Sequence, residues 1–147
     1  MSTHPLELRV PPLLVMAGMA AAMGVLNRIF PGLDLPSGLR LGATVSVGLV
    51  GLFLSSAGSL AFRQARTTVN PLHPERASAL VVTGVYRFSR NPMYLGMLLG
   101  LIALGIGLSS LVALLGPVGF MLYLNRFQIE PEERIMVARF GAAFTDY

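Results

Sequence analysis

The sequence contains one long interval without a charged residue, which runs from Asn91 to Asn125. A straight helix of these 35 residues would be roughly 52 Å long, whereas the hydrocarbon core of a bilayer is about 30 Å thick. The interval therefore has to fold back as a hairpin of two apolar helices. The turn is expected near its middle, at a cluster of small residues that favour turns, namely Gly105, Gly107, Ser109 and Ser110.

Two more charge-free intervals, residues 10–27 and 41–62, are each long enough for a membrane-spanning helix. Of the 147 residues, 54% are hydrophobic and 12% are charged, about half the charged share of a soluble domain. We therefore predict an all-α integral membrane protein with about four transmembrane helices. The hairpin arms, 92–107 and 109–125, supply the last two spans, and residues 1–147 form a single membrane domain. A cleaved signal peptide is the alternative for the first interval.

The remaining residues form two polar segments, a loop over residues 63–91 and a C-terminal segment over residues 131–147. In the second segment, apolar residues recur every three or four positions, which predicts an amphipathic helix. With four spans, both segments lie on the same side as the N-terminus, together with nine of the eleven arginines. Because arginines concentrate on the cytoplasmic side, we expect both termini of this multi-pass protein to be cytoplasmic. The apolar stripe consists of Met136, Phe140, Phe144 and Tyr147.

Composition disfavours several kinds of site. The chain has no cysteine, so disulfides, thiolate nucleophiles and cysteine-bound metals are excluded. Because His4 and His73 are the only histidines, we predict no bound metal. The net charge of +4 is explained by arginines that flank membrane spans and contact lipid head groups. Membrane lipids are therefore expected partners, whereas nucleic acid is not.

One polar cluster leads directly into the hairpin. Asn91 and Pro92 have the residue types of a helix start, with Asn at the N-cap and Pro at the first helical position. Arg90 beside them offers paired N–H donors to an anion. Tyr86 and Tyr94 offer ring faces to a cation and hydroxyls to a polar ligand. The alternative is an interfacial anchor, in which these side chains contact only lipid head groups.

A second cluster, Glu132 and Glu133, begins the C-terminal helix. One interpretation is that these carboxylates only stabilise the positive end of the helix dipole. However, Glu132 lies at the N-terminal end of the apolar stripe, so at least one carboxylate should face the membrane domain. A carboxylate held there needs hydrogen-bond donors or a cation. We expect Arg87, Arg90 or the ammonium group of a ligand to meet that need.

The segment Leu80–Gly96, followed by Glu132–Arg134, Phe140–Gly141 and Tyr147, resembles the signature of the isoprenylcysteine carboxyl methyltransferase family. The related phospholipid methyltransferases share this pattern, and the chain looks like a bacterial-type member. The resemblance covers residues 67–147, slightly over half of the chain. It implies an integral methyltransferase of the bacterial inner membrane, which uses S-adenosylmethionine and releases S-adenosylhomocysteine.

The resemblance also implies a substrate and the roles of individual residues. The methyl acceptor is a lipid or lipophilic small molecule that presents a carboxylate, an amine or a thiol. Glu132, Glu133 and Arg90 are the expected catalytic residues. Asn91 stands where the eukaryotic isoprenylcysteine enzymes have histidine, and an amide cannot shuttle protons near pH 7. The residues expected to bind S-adenosylmethionine are Val82, Gly84, Tyr86, Arg90, Asn91, Pro92, Tyr94, Glu132 and Glu133.

Two other functions are open on the sequence. A small membrane transporter or assembly protein would suit the size, but it predicts ionisable residues within the spans, and the charge-free intervals contain none. A membrane reductase that uses NADPH shares parts of the architecture but is expected to be longer. The oligomeric state is open as well.

Overall fold

The structure, a computed structural model, describes residues 4–30, 32–67 and 70–147. Within these ranges all regular elements are helical, which confirms the predicted all-α fold. The main helices are α1 (Pro12–Ile29), α2 (Ser37–Gln64), α3 (Pro92–Gly107), α4 (Leu115–Leu124) and α5 (Glu130–Phe140), followed by the short α6 (Ala142–Thr145). Short 3-10 turns cover Pro74–Arg76, Gly84–Arg87 and Val112–Leu114, and a π-helical turn, called the π turn below, covers Asn125–Ile129.

Among the residues that the structure describes, three helical stretches are long and apolar enough to cross a membrane, namely α1, α2 and the run from Val112 to Phe140. The helix α3 is apolar but shorter, with 16 residues. The chain reverses between α3 and Val112, as the predicted hairpin requires. Ser109 lies in this reversal with a φ of 52°, and its carbonyl oxygen accepts a hydrogen bond of 2.5 Å from the N–H of Leu33. The reversal is thereby tied to the connection between α1 and α2.

The helices α2 and α3 pack along most of their length because glycines bring the two backbones close together. A methyl group placed on Gly51 would lie 2.7 Å from the carbonyl oxygen of Gly96, which is closer than real side chains approach. Next to this contact, the hydroxyl of Ser55 donates a hydrogen bond of 3.3 Å to the carbonyl oxygen of Met93. The first turns of α3 are therefore held firmly against α2.

The buried core lies between α1, α3 and α4. Met23 of α1 is fully buried and fills the space beside Gly116, where an added methyl group would collide with it, and it reaches to van der Waals distance of Gly105. This packing closes the hairpin from the side of α1. The buried members of the core are Met23, Tyr94, Leu101, Ala113, Phe120 and Leu124.

The fourth helix continues further than the sequence predicted. The prediction separated a span over 109–125 from a helix over 131–147, whereas α4, the π turn and α5 form one continuous run to Phe140. No break occurs at Pro131, because the π turn before it accommodates the missing N–H and the bulk of the proline ring. The helix ends instead at Gly141, which has a φ of 53°. The apolar stripe is therefore divided between α5, α6 and Tyr147, which follows α6.

Three polar segments meet at one end of the bundle, namely residues 4–11, the loop over residues 70–91 and the π turn with α5. The side-chain amide of Gln128, in the π turn, donates a hydrogen bond of 2.6 Å to the carbonyl oxygen of Pro71 in the loop. This common location agrees with one shared side of the membrane. The assignment of that side to the cytoplasm stays a prediction.

Candidate active site

A cavity opens at the polar end of the bundle, between the loop over residues 70–91 and α5. It encloses about 410 Å³, its open mouth included. Four aromatic and four polar side chains form much of its lining. The aromatic residues are Phe62, Tyr86, Phe144 and Tyr147, and the polar residues are Arg90, Asn91, Glu132 and Glu133.

Glu132 points from α5 towards α3 and is partly buried. Its carboxylate accepts a hydrogen bond of 3.0 Å from the hydroxyl of Tyr94 and another from the side-chain amide of Gln128. Among the residues that the structure describes, no arginine or histidine nitrogen lies within 4.0 Å of this carboxylate. Glu132 thus has neutral donors but no cationic partner from the described chain, which favours a cationic ligand.

The orientation of Glu132 depends on the π turn that precedes α5. Gln128 lies in this turn and is 1% exposed. Its amide group joins the loop, through the carbonyl oxygen of Pro71, to the carboxylate of Glu132. A buried amide with both of these partners fixes the helix and the loop relative to each other.

Tyr86 is the buried residue of the turn Gly84–Arg87 and is 4% exposed. Its ring meets the edge of Phe62 at 5.3 Å between centroids, and its carbonyl oxygen accepts a hydrogen bond from the hydroxyl of Tyr147. Burial raises the pKa of Tyr86 above its usual range, and the negative charge of Glu132 raises that pKa further. The phenol therefore stays neutral at physiological pH and can donate a hydrogen bond to a ligand.

Arg90 lies across the aromatic wall of the cavity. Its guanidinium carbon is 5.1 Å from the ring centroid of Phe144 and 5.7 Å from that of Tyr147, within the range of cation–π contacts. The nearest atoms of Arg90 and Glu133 are 3.9 Å apart, and both side chains are about 40% exposed. Arg87, the other expected partner for a glutamate, is exposed and lies outside the cavity lining.

The structure brings most of the predicted cofactor-binding residues together. Tyr86, Arg90 and Asn91 line the cavity with both glutamates, and Tyr94 reaches it through its bond to Glu132. Asn91 stands at the N-cap position of α3, but its side chain makes no capping hydrogen bond. Asn91 lines the cavity, and its backbone N–H donates a hydrogen bond of 3.2 Å to the hydroxyl of Ser89.

Besides Tyr94, three predicted residues lie outside the cavity lining. Val82 is 39% exposed, whereas its neighbour Val81 is 6% exposed and lines the cavity, since successive side chains of an extended segment point to opposite sides. Gly84 has a φ of 61° and open space around it, so it shapes the turn that presents Tyr86. Pro92 is buried against Gly58 of α2 and fixes the start of α3.

Sequence reasoning assigned no site role to Gln128 or Phe62, nor to Phe144 and Tyr147 of the apolar stripe. An amide between apolar residues of a membrane helix is a signal that would have pointed to Gln128. The two aromatic residues of the stripe cover Arg90.

A second, mainly apolar groove of about 530 Å³ runs between α3 and α4. Asn91 belongs to the lining of both the groove and the polar cavity, and Tyr94 contributes to the groove while holding Glu132. A polar ligand in the cavity and an apolar ligand in the groove would therefore meet beside these two residues. The apolar lining consists of Leu95, Leu98, Phe120, Met121, Leu124 and Ile129.

Comparison with known proteins gives two matches and one negative result. The sequence model described as phospholipid methyltransferase matches residues 39–143 of this chain. An uncharacterized protein of Haemophilus influenzae is 40% identical over 55 residues, which cover 37% of this chain and 87% of the relative. No solved structure matches the chain. The range 39–143 includes every residue for which the sequence predicted a catalytic or cofactor-binding role.

Proposed function

The chain belongs to the phospholipid methyltransferase family, as its motifs predicted, and from that premise we propose that it transfers the methyl group of S-adenosylmethionine to a lipophilic acceptor. Membership of the family makes it a membrane methyltransferase. The methyl donor and the class of acceptor are the parts that we propose.

The proposal rests on the surroundings of Glu132. A carboxylate with hydrogen bonds from Tyr94 and Gln128, but without a cationic partner in the described chain, offers its negative charge to a ligand. S-adenosylmethionine carries an ammonium group and a sulfonium group, and it supplies an electrophilic methyl group when bound. The chemistry of the donor set therefore fits this molecule, and Glu132 would hold one of its cationic groups.

The remaining walls suit the other parts of the same molecule. Arg90 offers paired N–H donors to a carboxylate, although Phe144 and Tyr147 cover one face of its guanidinium. The aromatic surfaces of Phe62 and Tyr86 suit an adenine ring. Binding at these walls would orient the methyl group and exclude water from it, which are the main contributions that a protein makes to a displacement of this kind.

The groove between α3 and α4 is the proposed site of the acceptor. Its apolar lining suits an acyl or prenyl chain, and its shared residue Asn91 brings the head of such a chain to the polar cavity. The acceptor's lone pair would form the new bond to the methyl carbon while the carbon–sulfur bond breaks and leaves its electron pair on sulfur. A carboxylate or thiolate needs no base, whereas an ammonium acceptor must lose a proton, for which Glu132 is the nearest carboxylate candidate.

Titration of the purified full-length chain with S-adenosylhomocysteine in a calorimeter tests the methyl donor. We expect the wild type to bind and Glu132→Gln to bind at least about tenfold more weakly, because hydrogen bonds to charged groups contribute roughly 1.5–3 kcal/mol. Glu130→Gln is the matched control, since Glu130 is exposed on the same helix and lines neither the cavity nor the groove. A wild type that does not bind contradicts the proposal.

Incubation of membranes with methyl-labelled S-adenosylmethionine tests the acceptor class. We expect label in the lipid fraction that depends on the protein and is lost in Glu132→Gln. Label confined to a water-soluble fraction would contradict a lipophilic acceptor. Stabilisation by NADPH without any effect of S-adenosylhomocysteine would instead favour the reductase, and transport that needs no methyl donor would favour a carrier.

We also propose that the polar end of the bundle faces the cytoplasm of a bacterial inner membrane. The segments that meet there contain seven of the eleven arginines of the chain, and Arg63 and Arg66 lie at the adjacent end of α2 and just after it, which favours the cytoplasmic side. Green fluorescent protein fused after Tyr147 should fluoresce, whereas alkaline phosphatase fused at the same point should be inactive.

A further inference from the structure

The N-terminal segment, residues 4–10, lies over the outer face of the π turn and is called the strap here. The N–H of Leu8 donates a hydrogen bond of 3.0 Å to the carbonyl oxygen of Phe127. This carbonyl cannot receive its usual helical bond from residue 131, because Pro131 has no N–H. The ring of His4 packs on Phe127 at 5.1 Å between centroids. The strap therefore supplies the π turn with a donor that the helix itself lacks.

Glu7 of the strap bridges two arginines of the continuous helix. Its side chain is 6% exposed, and its two carboxylate oxygens lie 3.6 Å from Arg126 and 2.5 Å from Arg134. A carboxylate with this little exposure needs cationic partners, and both partners here come from one continuous helix, Arg126 from within the π turn and Arg134 from α5 after it.

The two arginines share a face only because most of the π turn, residues 127–129, lies between them. They are eight residues apart, which in a regular α-helix of 3.6 residues per turn corresponds to roughly 80° around the axis. A π turn includes one extra residue and takes back about 100° of rotation. The remaining offset of about 20° lets one carboxylate reach both guanidinium groups. Glu7 can therefore bridge the two arginines when the helix contains the π turn, and this geometry is lost in a regular α-helix.

The same extra residue determines where Glu132 points. Relative to α4, every residue after the π turn is rotated by about 100° from its position in a regular helix. A return to regular geometry would turn the carboxylate of Glu132 away from the hydroxyl of Tyr94, which it now meets at 3.0 Å. The π turn therefore determines two things at once: the face that Arg126 and Arg134 share on the outside, and the direction of the Glu132 carboxylate on the inside.

We propose that Glu7 is a positioning residue, which bridges Arg126 and Arg134 and so holds the π turn in the register that directs Glu132 into the cavity. The effect on ligand binding rests on the proposed function, whereas the effect on the π turn does not. Glu7 lies outside residues 39–143 that match the family, so this element belongs to the chain's own N-terminal segment.

Glu130 provides a matched control for the loss of one carboxylate at this turn. It also pairs with Arg126, at 3.1 Å, but its side chain is 46% exposed and the structure records no contact with Arg134 among the described ion pairs. Exposed pairs of this kind contribute little to stability. Glu130→Gln therefore removes a charge beside the π turn without removing the bridge.

Hydrogen exchange of the full chain in lipid nanodiscs, followed by mass spectrometry of peptides that cover residues 122–134, measures the π turn directly. In Glu7→Gln we expect the amides of the turn to exchange at least about tenfold faster, and S-adenosylhomocysteine to bind about tenfold more weakly. Glu130→Gln should keep both values within about twofold of the wild type. Glu7→Asp, which keeps the charge, should restore part of the affinity.

Unchanged exchange in Glu7→Gln overturns the proposal, whatever happens to ligand binding. Faster exchange with unchanged affinity for S-adenosylhomocysteine also overturns it, because the π turn would then not position Glu132. If Glu7→Gln does not fold, Arg134→Gln removes the shorter arm of the bridge from the helix side and is expected to give the same result. A wild type that binds no S-adenosylhomocysteine refutes the proposed function, and the exchange experiment then decides the role of the strap by itself.

Discussion

The helix α3 meets α2 on one side and α4 on the other, and the two interfaces are built differently. Towards α2, glycines bring the backbones together, so that a methyl group on Gly96 would lie 2.5 Å from the carbonyl oxygen of Gly51. Towards α4, the neighbouring residues Leu95 and Leu98 border a groove of about 530 Å³. Small residues therefore fix α3 on one face, which leaves the other face free to bind a ligand without loss of position.

The largest expected effect comes from disturbing the tight interface. Gly96→Ala should destabilise the folded protein by about 3 kcal/mol, because the methyl group would meet backbone atoms that cannot move aside. A lowered melting temperature in detergent measures this. Gly24→Ala is the control, since no atom lies within 4 Å of a methyl group there, and equal stability of both variants would contradict the tight interface.

The next effect comes from filling the open interface. Leu98→Trp should lower kcat/KM for the lipophilic acceptor by about tenfold or more, because the larger side chain would occupy space in the groove that the acceptor needs. The affinity for S-adenosylhomocysteine should be unchanged. Labelled methyl transfer and calorimetry measure the two values. Leu52→Trp provides the comparison, since Leu52 is 64% exposed on α2. If kcat/KM and the affinity for S-adenosylhomocysteine fall together, the groove and the cavity are not separate binding sites.

A smaller effect is expected where the two compartments meet. Tyr94→Phe removes the hydroxyl that donates to Glu132 at 3.0 Å, so the carboxylate loses a donor and is less well oriented. We expect S-adenosylhomocysteine to bind about tenfold more weakly, in line with hydrogen bonds to charged groups. The melting temperature should change little, because the ring and its packing remain. Unchanged affinity would remove Tyr94 from the cofactor site.

The smallest effect is expected at the open mouth of the cavity. Glu133 is 41% exposed and lies 3.9 Å from Arg90, so water already solvates the pair. Glu133→Gln should weaken the binding of S-adenosylhomocysteine by less than about threefold, and the loss of affinity should be smaller still at high salt. A loss as large as that of Glu132→Gln would show that the two glutamates share the ligand equally.

Much of the architecture could be predicted because it follows from charge and length. The charge-free interval 91–125 is too long for one span, and the structure contains the expected hairpin. The grouping of Tyr86 and Arg90 with the glutamates was also accessible, because the hairpin returns Glu132 to the end of the bundle where α3 begins. In each case a constraint acts on a whole segment and not on one side chain.

The details that escaped prediction depend on single backbone steps. Val81 lines the cavity and Val82 does not, because successive side chains of an extended segment point to opposite sides. The sequence does not indicate which of the two valines points inwards. The π turn before Pro131 is likewise stabilised by partners that are distant in the chain, such as Leu8. Without that turn, the inward position of Gln128 and the continuation of the helix cannot be derived.

The contact of two aromatic side chains with Arg90 has a consequence for the folding of the protein. Phe144 and Tyr147 follow α5 in the chain, and their rings cover Arg90 only when the segment after Gly141 docks against the loop over residues 70–91. Until they fold back, one wall of the cavity is missing. Insertion of the helices into the bilayer therefore does not by itself complete the cavity, which also requires the docking of the segment after Gly141.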